Sequence, residues 1–134
     1  MLTADDFTQI HHVLADYGHV VDDDDWVCDS LSAVLGAFGF AVRTFSSGST
    51  FLADDRATTT KCLIIDQHMP ELDGLAVIAE LRRRNLPVPT ILITGRLDAA
   101  IAQRARELGV VATLEKPFTA PRLIELVHTA CGPQ

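Results

Sequence analysis

Two short segments of this chain, Cys62-Leu63-Ile64-Ile65 and the Ile91-Leu92-Ile93 centre of Thr90 to Thr94, are apolar on successive residues and stop at a polar one. A strand with one face in water alternates apolar and polar side chains, because neighbours point to opposite faces. A strand without that alternation is covered on both faces, which is the situation of a parallel sheet roofed by crossover helices. The remaining sequence supplies the matching pieces. Tyr17 to Val21, Ala41 to Phe45 and Val110 to Leu114 read as three further strands. Val27, Leu31, Val34, Leu35 and Phe38 recur at helical spacing and stop at Gly39. Ser46-Ser47-Gly48 turns into a short helix through Phe51 and Leu52. Leu75, Ile78 and Ala79 mark a helix that runs to Asn85 and is ended by Pro87 and Pro89. Ala99 to Leu108 makes a fourth helix with Gly109 as its stop, and Thr119 begins a fifth, with Pro121 in its first turn and Leu123, Val127 and Ala130 on one face. Five strands alternating with five helices predict an α/β, three-layer (βα)5 domain with a parallel five-stranded sheet.

Residues 1–16 fall outside this pattern. Phe7, Ile10, Val13 and Leu14, after Thr3 as an N-cap, predict a short extra helix there. The domain proper is then 17–131, and 132–134 is a tail or the start of a linker. A length of 134 residues suits one domain. The formal charge of −7, from 18 acidic against 11 basic residues, repels phosphate backbones and argues against direct nucleic-acid binding by this domain. No apolar run is long enough for a membrane span, and the acidic start is unlike a secretory signal. Cys28, Cys62 and Cys131 are at no metal-ligand spacing and predict free thiols in a cytoplasmic protein.

In open parallel sheets the ligand site lies at the carboxyl ends of the strands, so functional residues should sit just after strands. They do. Asp22 to Asp25 follow the first strand, Asp66 ends the third, Thr94 ends the fourth, and Lys116 follows the fifth. Carboxylates form an oxygen cage for Mg²⁺, and one of them can act as nucleophile to form an acyl phosphate. Lysine gives a point charge to a phosphoryl oxygen and a threonine hydroxyl donates to another. An aspartate after a strand is often only a helix N-cap, and Asp25 before Trp26 is a candidate for that role. A solvated acidic loop is the plain alternative for Asp22 to Asp25. It leaves unexplained why one of only two lysines, Lys116, sits at the same sheet edge, in the constrained Glu115-Lys116-Pro117-Phe118.

Val21-Asp22-Asp23, Ile65-Asp66-Gln67-His68-Met69-Pro70-Glu71-Leu72-Asp73-Gly74, Ile93-Thr94-Gly95 and Glu115-Lys116-Pro117-Phe118 resemble, in order and spacing, the signature blocks of response-regulator receiver domains, most nearly of the FixJ-like kind. The resemblance implies a flavodoxin-like fold of strand order 2-1-3-4-5 and a two-component phosphorelay. Asp66 would be the phosphoacceptor, served by a sensor histidine kinase. Asp23 would bind Mg²⁺ directly, Asp22 through water, and the main-chain carbonyl of His68 would be a third ligand beside Asp66. Thr94 would follow the phosphoryl group, Gly95 would stay small to admit it, and Lys116 would pair with Asp66 before phosphorylation and with the phosphoryl oxygens after. The Lys116–Pro117 bond would be cis. The domain would assist its own phosphorylation and dephosphorylation without being an enzyme, and would switch a helix/strand output face. It would be either a stand-alone receiver or the regulatory half of a transcription regulator, with homodimerisation through the later helices.

The chain departs from the family at Thr113, where receivers carry Tyr or Phe three residues before the lysine. The aromatic readout is thus replaced, and weaker coupling to the fourth helix is expected, through the Gly95 to Asp98 loop. In the family, the positions of His68 and Arg96, each two residues after a site residue, border the attacking water. The resemblance thus implies a phosphate-facing role for both, with simple exposure as the plain alternative. Trp26 is expected to pack near the acidic pocket, Arg82-Arg83-Arg84 to form a solvated helix end, and His11-His12 to lie on the surface. Two other functions compete. A haloacid-dehalogenase-type phosphatase also uses an Asp nucleophile, Mg²⁺, Thr and Lys, but would need an aspartate where His68 stands. Turnover of a small phosphomonoester separates that phosphatase from a receiver; a phosphorylation-independent binding module on the same fold is the other alternative.

Overall fold

The structure, a computed structural model, describes residues 18–54 and 60–131. The expected N-terminal helix, His11-His12, Tyr17 and the C-terminal tail lie outside these residues. Five strands, β1 (Gly18–Val21), β2 (Val42–Phe45), β3 (Cys62–Asp66), β4 (Thr90–Thr94) and β5 (Ala112–Glu115), alternate with α1 (Asp25–Ala37), α2 (Gly48–Ala53), α3 (Gly74–Arg83), α4 (Ala99–Glu107) and α5 (Ala120–Cys131). All strand pairs are parallel, in the order β2-β1-β3-β4-β5.

The unbroken apolar runs have the predicted cause. Cys62 and Ile64 of β3 face one core, with α1 and α5; Leu63 and Ile65 face the other, with α2, α3 and α4. Every residue of β3 and β4 is buried. The register pairs Val21 with Ile65, Asp66 with Ile93, and Thr94 with Glu115, so β1, β3, β4 and β5 finish nearly level. The residues just beyond these ends are therefore neighbours.

Several boundaries differ from the sequence pattern for local reasons. Asp24, not Asp25, caps α1: its Oδ1 accepts from the backbone N–H of Trp26 at 2.9 Å and of Val27 at 3.4 Å, leaving Asp25 as the first helical residue. Trp26 is 75% exposed, so the expected packing at the pocket is not found, and Phe38 is likewise exposed beyond the end of α1. α3 stops before the prolines, because Asn85 adopts a left-handed φ of 60° while Leu86 N–H donates to Leu81 O. Val110 and Val111 do not begin β5. Gly109 turns at a φ of 72° and Val110 N–H donates to Ala105 O, closing α4, while Val111 N–H reaches Thr90 O at the start of β4. Arg82 is not a solvated end either. Its guanidinium donates to the carbonyls of Leu108, Leu86 and Val88 at 2.8, 3.0 and 3.1 Å, clamping the ends of α3 and α4 to the entry of β4.

Candidate functional site

The level strand ends bring three acidic side chains together. Carboxylate oxygens of Asp22, Asp23 and Asp66 all lie within 4.8 Å of one another, with Asp23 exposed and the other two buried. Asp22 is fixed by β1 and by Asp24, whose backbone N–H donates to Asp22 Oδ1 at 2.9 Å. Asp66 is fixed by β3 and by the turn after it: Gly74 N–H donates to Gln67 O, and Gln67 Oε1 accepts from Leu75 N–H at 2.9 Å. Gly74 is required here. A Cβ on it would come within 2.6 Å of Asp66 O and 2.9 Å of Leu92 Cδ1. Lys116 reaches across from the end of β5, its Nζ 3.4 Å from Asp66 Oδ1 and 3.7 Å from Asp22 Oδ2. The Lys116–Pro117 peptide bond is cis.

One cation cannot balance three carboxylates. Burial pushes the Asp22 carboxyl up to about 6, against the opposing pull of the Asp24 N–H, and the Asp66 charge nearby adds to the rise. Burial likewise pushes the Asp66 carboxyl up, partly offset by Lys116 and by the backbone N–H of His68. Asp66 Oδ1 is buried and makes no hydrogen bond, although the ammonium is in ion-pair range. An orphaned carboxylate oxygen beside two further carboxylates, all hard donors, fits a Mg²⁺ ion. The described residues contain no other such acidic cluster.

Thr94 ends β4 with its hydroxyl already engaged. Its Oγ1 donates to Arg96 O at 3.0 Å, accepts from Arg96 N–H, and lies 3.0 Å from His68 Nε2. With the hydroxyl proton on Arg96 O, the imidazole is the donor to Thr94. His68 thus spans from the Asp66 loop to Thr94 across the mouth of the site, while its ring remains exposed. The sequence pattern placed His68 at the site edge but did not reveal this bond. It also missed Glu115, whose Oε2 accepts from Leu97 N–H at 2.7 Å and ties the end of β5 to the loop before α4. A Cβ on Gly95 would meet no protein atom. Thr113 is half-buried on β5, and Asp24 and Asp25 take no part in the cluster.

Comparison with known proteins agrees with this geometry. The profile of the response regulator receiver domain matches residues 19–128. The chain is 36% identical over 112 residues to the response regulator protein TodT of Pseudomonas putida, covering 84% of this chain and 49% of TodT. It is 35% identical over 112 residues to the transcriptional regulatory protein FixJ of Bradyrhizobium diazoefficiens, covering 84% of this chain and 55% of FixJ. Among solved structures, the crystal structure of FixJ-N superposes with a TM-score of 0.78 at 34% identity, covering 88% of this chain and 95% of that one. The chain spans about half the length of the curated relatives it matches.

Proposed function

The chain belongs to the response regulator receiver domains of two-component systems, and from that premise we propose that it takes a phosphoryl group onto Asp66 from a phosphohistidine of a sensor histidine kinase, with Mg²⁺. The observation that carries the proposal is the buried Asp66 carboxylate, with one oxygen left without a hydrogen bond between two further carboxylates and Lys116. Asp66 supplies the attacking oxygen. Asp22 and Asp23, with the main-chain carbonyl of His68, would hold the metal, Asp23 directly and Asp22 through water. When bound, Mg²⁺ supplies charge neutralisation on the transferring group and orients it for in-line attack. Lys116 already stands against both buried carboxylates, and passes from them to the phosphoryl oxygens as the charge moves outward. Thr94 has one hydroxyl proton, and it is held by Arg96 O. To donate to the phosphoryl group, Thr94 has to release that carbonyl, which couples the site to the Gly95 to Asp98 loop.

Binding and release of a proton, charge and orientation are thus handled by side chains, with no turnover of an outside substrate; the chain acts as a switch rather than an enzyme. FixJ is named a transcriptional regulatory protein, and by that likeness this chain would regulate transcription, in the cytoplasm, where such a kinase would reach it. Among the described residues, no helix is long and apolar enough to cross a membrane. Dimerisation through the later helices and a purely phosphorylation-independent docking role are settled by the same experiment. The protein is incubated with Mg²⁺ and acetyl phosphate, and intact mass is recorded beside Asp66→Asn and beside a sample containing chelator. A hydroxylamine-labile gain of one phosphoryl group in wild type with Mg²⁺ only is expected, and size-exclusion of the same samples reads the dimer. No gain by folded protein, or an equal gain in Asp66→Asn, refutes the assignment.

A further inference from the structure

At the end of the sheet opposite the acidic pocket, two of the three cysteines meet. Cys62 is the first residue of β3 and Asp66 the last, so the two places are roughly 13 Å apart along the strand. Cys131 is the last residue of α5. Both line one largely apolar cavity of about 90 Å³, with Lys61, Phe40 and Val127. Cys131 packs against the core cluster that contains Cys62, and the two thiols lie close enough to shift each other's ionisation. A cavity of this size admits several water-sized molecules.

We propose that Cys62 and Cys131 are a peroxide-oxidisable thiol pair that closes to an intramolecular disulfide. Their surroundings make the two sulfurs unequal. Cys62 is 3% exposed, and its thiol is pushed up by the nearby Cys131 thiol and by burial. Cys131 is half-buried at a helix end, and its thiol is held below the ordinary range by the nearby Cys62 thiol and by the Lys61 ammonium, against burial. Cys131 is therefore the attacking thiolate. Its sulfur bonds to one oxygen of hydrogen peroxide, the O–O bond breaks, and the other oxygen leaves as hydroxide and takes a proton to become water. Cys131 is now a sulfenic acid. The Cys62 sulfur then attacks the Cys131 sulfur, its own proton passes to the departing hydroxyl, and a second water leaves. Two thiols and one peroxide give one disulfide and two waters. The product staples the start of β3 to the end of α5, and a small dithiol reverses it.

Cys28 provides an internal control. It is buried on α1, donates its S–H to Asp22 O at 3.3 Å, and is pushed up to about 11 by burial and the nearby Asp22 charge. The full chain is treated with hydrogen peroxide at neutral pH, thiols are counted after denaturation, and a non-reducing peptide map locates any link. Wild type should fall from three free thiols to one, as a monomer linked between Cys62 and Cys131, and recover all three with dithiothreitol. Cys28→Ser should form the same link. Cys131→Ser, altered only at a helix end, should keep Cys62 as a free thiol at the same dose. Retention of all thiols in wild type, a link through Cys28, or links only between chains would overturn the proposal.

Discussion

α3 and α4 each begin one loop beyond a residue of the site, yet they are attached to the molecule in opposite ways. α3 follows Asp66. It buries Gly74, Val77, Ile78 and Leu81, and its first glycine leaves no room between helix and the Asp66 carbonyl. Gln67 and Asp73 fix its first turn, and Arg82 ties its last turn to the carbonyls of Leu108 and Val88. α4 follows Thr94. It buries Ala105 alone, with Ile101 and Leu108 partly packed, and residues 95–100 before and at its start are all exposed. Local opening requires little free energy where few apolar contacts hold an element. Asp66, the proposed acceptor, is thus set beside the more tightly held helix, where a fixed geometry would suit in-line transfer, and Thr94 is set at the head of the more loosely held one.

The largest expected effect separates the two helices by stability. Leu81→Ala, at a position with no exposure, should lower unfolding free energy by roughly 2–5 kcal/mol. Ile101→Ala on α4 should lower it by about 1 kcal/mol or less. Urea denaturation reads both, and equal losses would erase the difference between the helices.

The second effect concerns the charge held on the side of the more tightly held helix. Asp22 binds its proton more tightly when folded, about 6 against the ordinary 3.8. Below the ordinary value this contribution to stability is fully present; it is lost as pH rises through about 6, and it stays lost at neutral pH. In chelator, the protein should therefore lose on the order of 3 kcal/mol across that window. Asp22→Asn should flatten the loss and be the more stable protein at neutral pH. A wild-type profile that rises from pH 4 to 6 contradicts the strained acidic pocket.

A third pair sharpens the comparison at the loops. Gly74→Ala forces a Cβ onto Asp66 O and should destabilise by roughly 1–3 kcal/mol. Gly95→Ala meets no protein atom and should leave thermal unfolding unchanged while slowing phosphorylation by acetyl phosphate, because only an incoming group would be crowded. The smallest effect is at the bridge between the two sides. His68→Ala frees Thr94 of its neighbour, and should change the dephosphorylation rate more than the phosphorylation rate, by a factor of a few. Single-turnover rates in each direction decide it, and equal changes in both would remove His68 from the account.

The side of the more tightly held helix was the more legible in the sequence. A run that is apolar on every residue and ends at Asp66 announces both a doubly covered strand and a site at its end. The same logic located Asp22, Thr94 and Lys116. Less legible were features set by side-chain reach rather than by pattern. Four adjacent aspartates have the same capping preference, so the choice of Asp24 over Asp25 depends on where the strand exits. Val110 looks like strand but closes a helix, because Gly109 turns the chain just before it. Periodicity could not show that Trp26 in the first turn of α1 faces water, nor that Arg82 folds back onto three carbonyls while Arg83 and Arg84 pair with Glu80. The His68 to Thr94 and Glu115 to Leu97 bonds join residues distant in sequence, and no local rule pairs them.

Amide hydrogen exchange on the same protein before and after acetyl phosphate and Mg²⁺, with Asp66→Asn as the blank, distinguishes a tightly held helix after Asp66 from a movable one after Thr94. Protection should change in wild type across Gly95 to Leu108 and stay constant along α3. With Thr113 in place of an aromatic, β5 should change less than that loop and helix. A change along α3 as large as that along α4, or no change at all in phosphorylated protein, would contradict this difference between the helices.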